Sequence, residues 1–305
     1  FKPKKDIKYI YIIYYPSNHE PNIGEYYHEY YVPMKCLEHF FNDKIKYIGI
    51  NIRESTPKFK LNKNSIVVVS ADFSHHLPMQ EGINLENKAA HSIMFRNLDD
   101  NIYNNIIDDK LSFRYLYDNI NINYQFQWIG RSRSDGIKGV GYLSFLLREK
   151  PNMKYLPDGF FVTVYDNNMN SRECLGHWFN KRNKWNKNFE NNFIIDTCDK
   201  ASKTSRLTNG TKLNIPISNY TITYLYKDRK KFIRGYHGIK DKAFYLPDVF
   251  LENTYEDGRW IKNNDIEWKN NNNNEFDLSE TLIKLSQKFG NKSKRTKKNQ
   301  NKYKL

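Results

Sequence analysis

Residues 65–70, Ser-Ile-Val-Val-Val-Ser, constrain this chain more than any other segment. The run is short and lacks polar alternation, so neither of its faces is made for water. A strand of that kind belongs to a parallel sheet covered on both sides, and parallel strands need long crossovers, usually helical. Residues 7–15 are β-branched and aromatic, end at Pro16 and read as a second buried strand, and residues 45–52 alternate like a third. Between them Val32, Cys36 and Phe40 recur at i, i+4 and i+8, with Leu37 and Phe41 beside them, which predicts one apolar helix face. Residues 84–98 and 101–118 read as helices and 138–147 as a strand. The amino-terminal part is therefore expected to be α/β.

At 305 residues the chain exceeds what one hydrophobic core usually serves. A stretch with two prolines, 149–158, reads as a linker between two domains. Beyond it 159–165 and 173–179 read as strands around an Asn-Asn-Met-Asn turn, and 219–226 as a half-buried strand. Residues 180–192 fit either a helix or a loop. Pro247 interrupts the apolar stretch 244–251, which reads as an edge or loop element. Asp277 and Glu280 have the spacing of a capping box before a helix over 278–289.

The net charge is +15, and seven Lys and Arg between Lys292 and Lys304 supply much of it without one acidic residue. Residues 291–305 are too polar to build a core and read as a disordered basic tail. Such a tail keeps a protein in solution; its second reading is a contact for nucleic acid, acidic protein or anionic lipid, or a nuclear import signal. Three Cys, with no Cys-x-x-Cys and no zinc spacing, predict reduced thiols and a cytoplasmic or nuclear setting. No run is long enough for a membrane span. Abundant Asn, Lys, Ile and Tyr, whose codons are AT-rich, predict an AT-rich genome such as a protist's or a large DNA virus's. The chain opens on Phe1 and reads as a piece of a longer polypeptide.

The segment Ile66–His76 carries the strongest chemical signal. A buried strand runs into Asp72, Phe73, Ser74, His75 and His76, and in α/β sheets ligands bind beyond the carboxyl ends of strands. The string resembles the Ser-Ser-Asp-Phe-(Ser/Cys)-His motif of the Memo (mediator of cell motility) family. Three further segments match that family in order: Tyr15–Pro21 with His19, Glu25–Pro33 with Glu25 and Glu29, and Trp128–Tyr142 with Ile-Gly-Arg and Gly-Val-Gly-Tyr. The resemblance covers about residues 7–148 and implies a fold like that of the extradiol dioxygenases. It implies a metal pocket for iron, copper or zinc in which His19 and His75 match, with Glu25, His28, Glu29, Asp72 and His76 as further candidates. The family's upstream His segment and its pocket Cys have no counterpart, and Tyr26 stands where the family has His.

Leu156–Phe179 resembles the AMMECR family (named from the Alport-syndrome chromosomal region). Gly159, Phe161, Val162 and Thr163 match its first strand, and Arg172, Cys174, Leu175 and Gly176 its second, with Glu173 in place of Gly. Gly235, Gly238, Ile239, Leu246, Pro247 and Val249 match a later segment. The resemblance implies an α+β domain over 159–290 following a truncated Memo-like domain over 1–148. The two families occur fused or as neighbours, often beside a radical-SAM protein, which implies a shared modification pathway.

Three functional readings follow, in this order. The first is a catalytically degenerate scaffold or interaction protein, motivated by the missing ligands. The second is a metal-dependent redox or hydrolytic enzyme using the two retained His. The third is a nucleic-acid-associated protein acting through Lys292–Lys304.

Overall fold

In the computed structural model the residues described are 7–16, 27–41, 44–53, 64–98, 107–120, 124–134, 139–149, 156–179, 185–204, 217–227, 237–240 and 244–254. They form a mixed α/β protein in two compact units: 1–148 together with 233–305, and 149–232. The candidate residues His19 and Glu25, the expected helix over 278–289 and the basic tail lie outside the described residues.

The larger unit is organised by a parallel sheet of order β2-β1-β3, where β1 is Tyr9–Tyr14, β2 Lys46–Asn51 and β3 Ser65–Val69. Tyr9 pairs with Lys46 on one side and Ser65 on the other. The central strand is β1, and Ile10, Ile12 and Ile13 are fully buried, which explains its unbroken apolar run. The strand expected to be doubly covered, β3, lies at the sheet's edge and is half-buried throughout.

Helix α1 (His28–Glu38) lays Tyr30, Met34 and Leu37, with Phe41 just beyond, against Ile10, Ile12 and Tyr14. The face expected from Val32, Cys36 and Phe40 points outward, and Phe40 is 76% exposed. The larger Tyr30 and Met34 side chains complete a wider stripe on the other side of Leu37, and burial follows area.

Helices α2 (Met79–Phe95) and α3 (Lys110–Asn119) and the strand pair β4 (Tyr124–Arg133) and β5 (Gly141–Glu149) complete this part. Strand β4 is missing from the sequence reading although Tyr124, Phe126 and Trp128 alternate with Gln125 and Gln127; Arg131 and Arg133 continue that alternation with charged residues. Those arginines turn out to be buried. Of the expected helix over 101–118, residues 101–106 lie outside the described residues; the described helix begins at Lys110, where the Asp109 side chain accepts from the Ser112 N–H at 2.9 Å as an N-cap.

The smaller unit is an antiparallel sheet of order β7-β6-β8, with β6 Gly159–Asp166, β7 Ser171–Trp178 and β8 Ile217–Leu225. Helix α4 (Lys187–Lys203) covers one face, packing Ile194 and Ala201 on Phe160, Val162 and Val164. The Asn-Asn-Met-Asn segment makes the β6–β7 turn, held by Asp166, whose carboxylate accepts from the N–H groups of Asn168 and Asn170.

The domain limits differ from the expected 159–290. The described residues beyond 232 belong to the larger unit, as a short hairpin of β9 (Ile239–Lys240) and β10 (Phe244–Tyr245) followed by α5 (Pro247–Asn253). Pro247, read as a breaker, sits at the start of α5, where its missing N–H costs nothing. Phe250 and Leu251 are fully buried, and Leu251 packs with Ala90 of α2 and Trp128 of β4. His91 Nε2 lies 3.0 Å from Glu252 Oε1.

Candidate metal centre at the end of the parallel sheet

Where β3 ends, the chain divides its side chains between core and solvent. The Ser70 N–H still donates to the Ile13 carbonyl at 3.1 Å. Phe73 is 3% exposed and packs beside Phe113 and Phe145, and Ser74 is fully buried. Asp72 is half-buried and His75 exposed. The loop is pinned to β5: the Phe73 N–H donates to the Gly141 carbonyl at 3.1 Å, and the Gly141 N–H to the Ser74 carbonyl at 2.8 Å.

On the outward side, Asp72, His75 and Asp108 each bring a ligand atom within 4.8 Å of the others. His75 Nε2 lies 3.6 Å from Asp72 Oδ2. The Asp72 N–H donates to Asp108 Oδ1 at 2.9 Å, so the two carboxyl groups are held together by backbone. Although Asp108 is exposed as a residue, crowding about its carboxyl and then the Asp72 charge push its pKa up to about 7. Asp109, itself buried, is pushed up to about 6 by desolvation, with Glu29 adding repulsion, while its bonds from Ser112 and the Tyr15 N–H favour the anion.

Two carboxylates and an imidazole are hard or borderline donors that suit zinc, manganese or ferrous iron better than cuprous copper. Ligand bonds of about 2.0–2.2 Å span at most about 4.4 Å across an ion. The three donors therefore need only a small closure, and the exposed side of His75 leaves room for water or substrate. The other candidates stand apart from this group. His76, with a left-handed φ of 53°, meets the His75 ring edge-on at 5.9 Å and is not one of the three. His28 and Glu29 open α1, and neither belongs to the three-donor group. Asp108 was missed because a continuous helix was expected across it; the signal was Asp109 three residues before Ser112.

On the inward side the same loop enters a buried ionic cluster. Glu86 of α2 receives Arg131 Nη2 at 3.0 Å and Arg133 Nη1 at 2.6 Å, and the Ser74 hydroxyl donates to it. Arg133 also donates to Ser74 Oγ at 2.9 Å and to the Leu77 and Gly139 carbonyls at 3.2 and 2.8 Å. Arg131 donates to the Leu251 and Glu252 carbonyls at 2.8 and 3.2 Å, at the carboxyl end of α5, where a cation is favoured. A Cβ at Gly141 would collide with the Glu86 carboxylate, and one at Gly82 with the Arg133 guanidinium.

The motif residues of the second resemblance fall in both units. Arg172 is paired with Asp166, and Cys174 Sγ accepts from Thr163 Oγ1 at 3.3 Å. His177, three residues from Cys174 on a strand, projects from the opposite face. It lies among Phe179, Phe189 and Phe160, where burial lowers its pKa. Gly176 lies under the Phe161 ring, where no Cβ fits. Gly238 and Pro247 belong to the larger unit; a Cβ at Gly238 would stand 2.7 Å from the Tyr245 carbonyl. Comparisons with family models, with curated proteins and with solved structures returned no match.

Proposed function

We propose that the larger unit binds one divalent metal ion through Asp72, His75 and Asp108 at the carboxyl end of β3. The carrying observation is the convergence of the three donors within 4.8 Å, from two chain segments, at the sheet end where ligands gather. A bound ion there would supply Lewis-acid chemistry toward water or a substrate oxygen. The chain's part is to hold two like charges side by side. Desolvation of the Asp108 carboxyl, and then the Asp72 charge, raise its pKa to about 7, and a bound cation would take the place of that proton.

The full chain titrated calorimetrically with Mn²⁺ or Zn²⁺ at pH 7.5 is expected to take up one ion. Asp108→Asn and His75→Ala should each weaken binding at least about tenfold. Affinity should fall as the pH drops below about 7, because the proton on Asp108 competes. No uptake by the parent chain, or uptake unchanged in both variants, overturns the proposal.

The scaffold reading keeps one specific support. Ser74, Arg131 and Gly141, all within the Memo-like strings, take part in the buried ionic cluster, so packing alone gives those strings a reason to exist. That reading expects no metal uptake and a loss of stability from every one of those positions. Under either reading the Memo-like and AMMECR-like assignments rest on the motif residues already named.

A further inference from the structure

Three parallel strands end side by side at the proposed metal site, and only β3 leads into its donors. Tyr14, the last residue of β1, pairs with Asn51, the last of β2, and Ile13 pairs with Val69, the last of β3. Each ladder runs one step further: the Ile52 N–H donates to the Tyr14 carbonyl and the Ser70 N–H to the Ile13 carbonyl, both at 3.1 Å. Tyr15, Arg53 and Asp72 therefore leave the sheet at nearly one level, from β1, β2 and β3 in turn. Neighbouring strands lie about 4.8 Å apart, so the backbones at Arg53 and Asp72 are about 10 Å apart, with that of Tyr15 between them.

Arg53 is fixed in this place at both its ends. Its backbone N–H donates to Asn51 Oδ1 at 3.0 Å, and its guanidinium carbon lies over the Tyr15 ring, 4.8 Å from the centroid. Tyr15 is tied in turn to the metal donors' segment, because its N–H donates to Asp109, the residue after Asp108. Arg53 is exposed, and no carboxylate among the described residues, Asp109 and Glu29 included, forms an ion pair with it. A guanidinium over an aromatic face keeps its forked N–H groups for an oxyanion. The buried Arg131 and Arg133, by contrast, donate to Glu86 and to backbone carbonyls.

We propose, resting on the metal reading above, that this site takes an elongated small molecule with an oxygen donor at one end for the ion and a carboxylate or phosphate at the other for Arg53. Its middle passes Tyr15. An ion alone accepts any oxygen donor of suitable hardness; a fixed cation up to about 10 Å from it selects ligands by length and by charge.

The test is calorimetry on the full chain loaded with Mn²⁺ at pH 7.5. The probes are acetate, the α,ω-dicarboxylates from glutarate to azelate, and the ω-phosphonocarboxylates of the same lengths. Affinity should pass through an optimum with length, and the best member should bind at least about tenfold more tightly than acetate, because a charge-assisted forked contact is added. The tighter series names the anionic end. Arg53→Gln should take up Mn²⁺ and bind acetate as the parent does, and should lose that tenfold advantage. Tyr15→Phe should keep it, and Tyr15→Leu should lose about threefold, the scale of an exposed cation–π contact. Lys46→Gln, exposed at the opposite end of β2 and about 20 Å away by strand rise, should change nothing. Circular dichroism checks that each variant folds. No Mn²⁺ uptake by the parent overturns the metal reading and this inference with it. Mn²⁺ uptake without a length optimum, an optimum retained in Arg53→Gln, or an equal loss in Lys46→Gln overturns this inference alone.

Discussion

Replacing Glu86 with Gln tests what holds the larger unit together. Glu86 is one buried carboxylate between two buried guanidinium groups, whose side chains are about 1% exposed. Gln keeps the shape but removes the negative charge, and its amide can accept from only one arginine while pointing N–H groups toward the other. Two cations then remain in the interior with backbone carbonyls as their main partners. Removing one member of a buried ion pair costs about 3–5 kcal/mol. The retained carbonyl bonds of Arg131 and Arg133 place this case toward about 3 kcal/mol. A domain of this kind has only about 5–15 kcal/mol in all, so the loss is a large fraction. The assay is urea titration read by hydrogen-exchange mass spectrometry on peptides from α2 and β4, which report on the larger unit alone. Glu81→Gln, on the exposed first turn of α2, serves as control and should stay within about 0.5 kcal/mol. A loss below about 1 kcal/mol for Glu86→Gln would refute the reasoning, because the arginines would then be sufficiently satisfied without the carboxylate.

Phe250→Ala should cost about 3–5 kcal/mol and raise exchange in α2, since Phe250 is fully buried in the unit that contains α2; protection of the α2 peptide unchanged would remove α5 from that core. Gly141→Ala should cost at least about 2 kcal/mol in the same urea assay, because the new methyl meets Glu86 where neither the strand nor the ion cluster can yield. Asp109→Asn keeps an N-cap and removes a buried charge. A carboxyl whose folded pKa is raised contributes most below its unfolded value, near 3.8, and that contribution is lost as the pH rises through about 6. The Asn variant should therefore gain up to about 3 kcal/mol on the parent between pH 4 and pH 8, and parallel stability curves across that range would sink the idea.

The parallel core was legible because β1 and β3 are apolar without alternation and flank an amphipathic segment. Burial on α1 was misread because Val32, Cys36 and Phe40 at i, i+4, i+8 and Tyr30, Met34 and Leu37 at i, i+4, i+7 both make a helical stripe, and periodicity alone does not say which stripe meets the sheet. Strand β4 was hidden by Arg131 and Arg133, which a sequence reading sends to the surface; their shared partner Glu86, 45 and 47 residues away in α2, makes burial tolerable. The same long-range pairing returns α5 to the larger unit. A Pro followed by Asp and three apolar residues does not reveal that its helix ends on Arg131. At the candidate metal site Asp72 and His75 were readable as a strand-end pair. Asp108 was not, because it reaches Asp72 through a backbone hydrogen bond spanning 36 residues.

The four residues Asp72 to His75 explain why motif and function are hard to separate in this chain. Alternate requirements act on adjacent positions: Asp72 and His75 face outward with Asp108, while Phe73 enters the aromatic core and Ser74 the ionic cluster. Selection for packing acts on the inner pair whatever the outer pair does. Loss of chemistry would release Asp72 and His75 to vary while Phe73, Ser74, Arg131 and Gly141 stayed fixed. The outer two, with a carboxylate from a separate segment beside them, are the donor set on which the proposed metal site rests. Variants at the inner positions should therefore unfold the unit before they affect metal uptake, and variants at the outer positions should abolish uptake in a unit that still melts as the parent does.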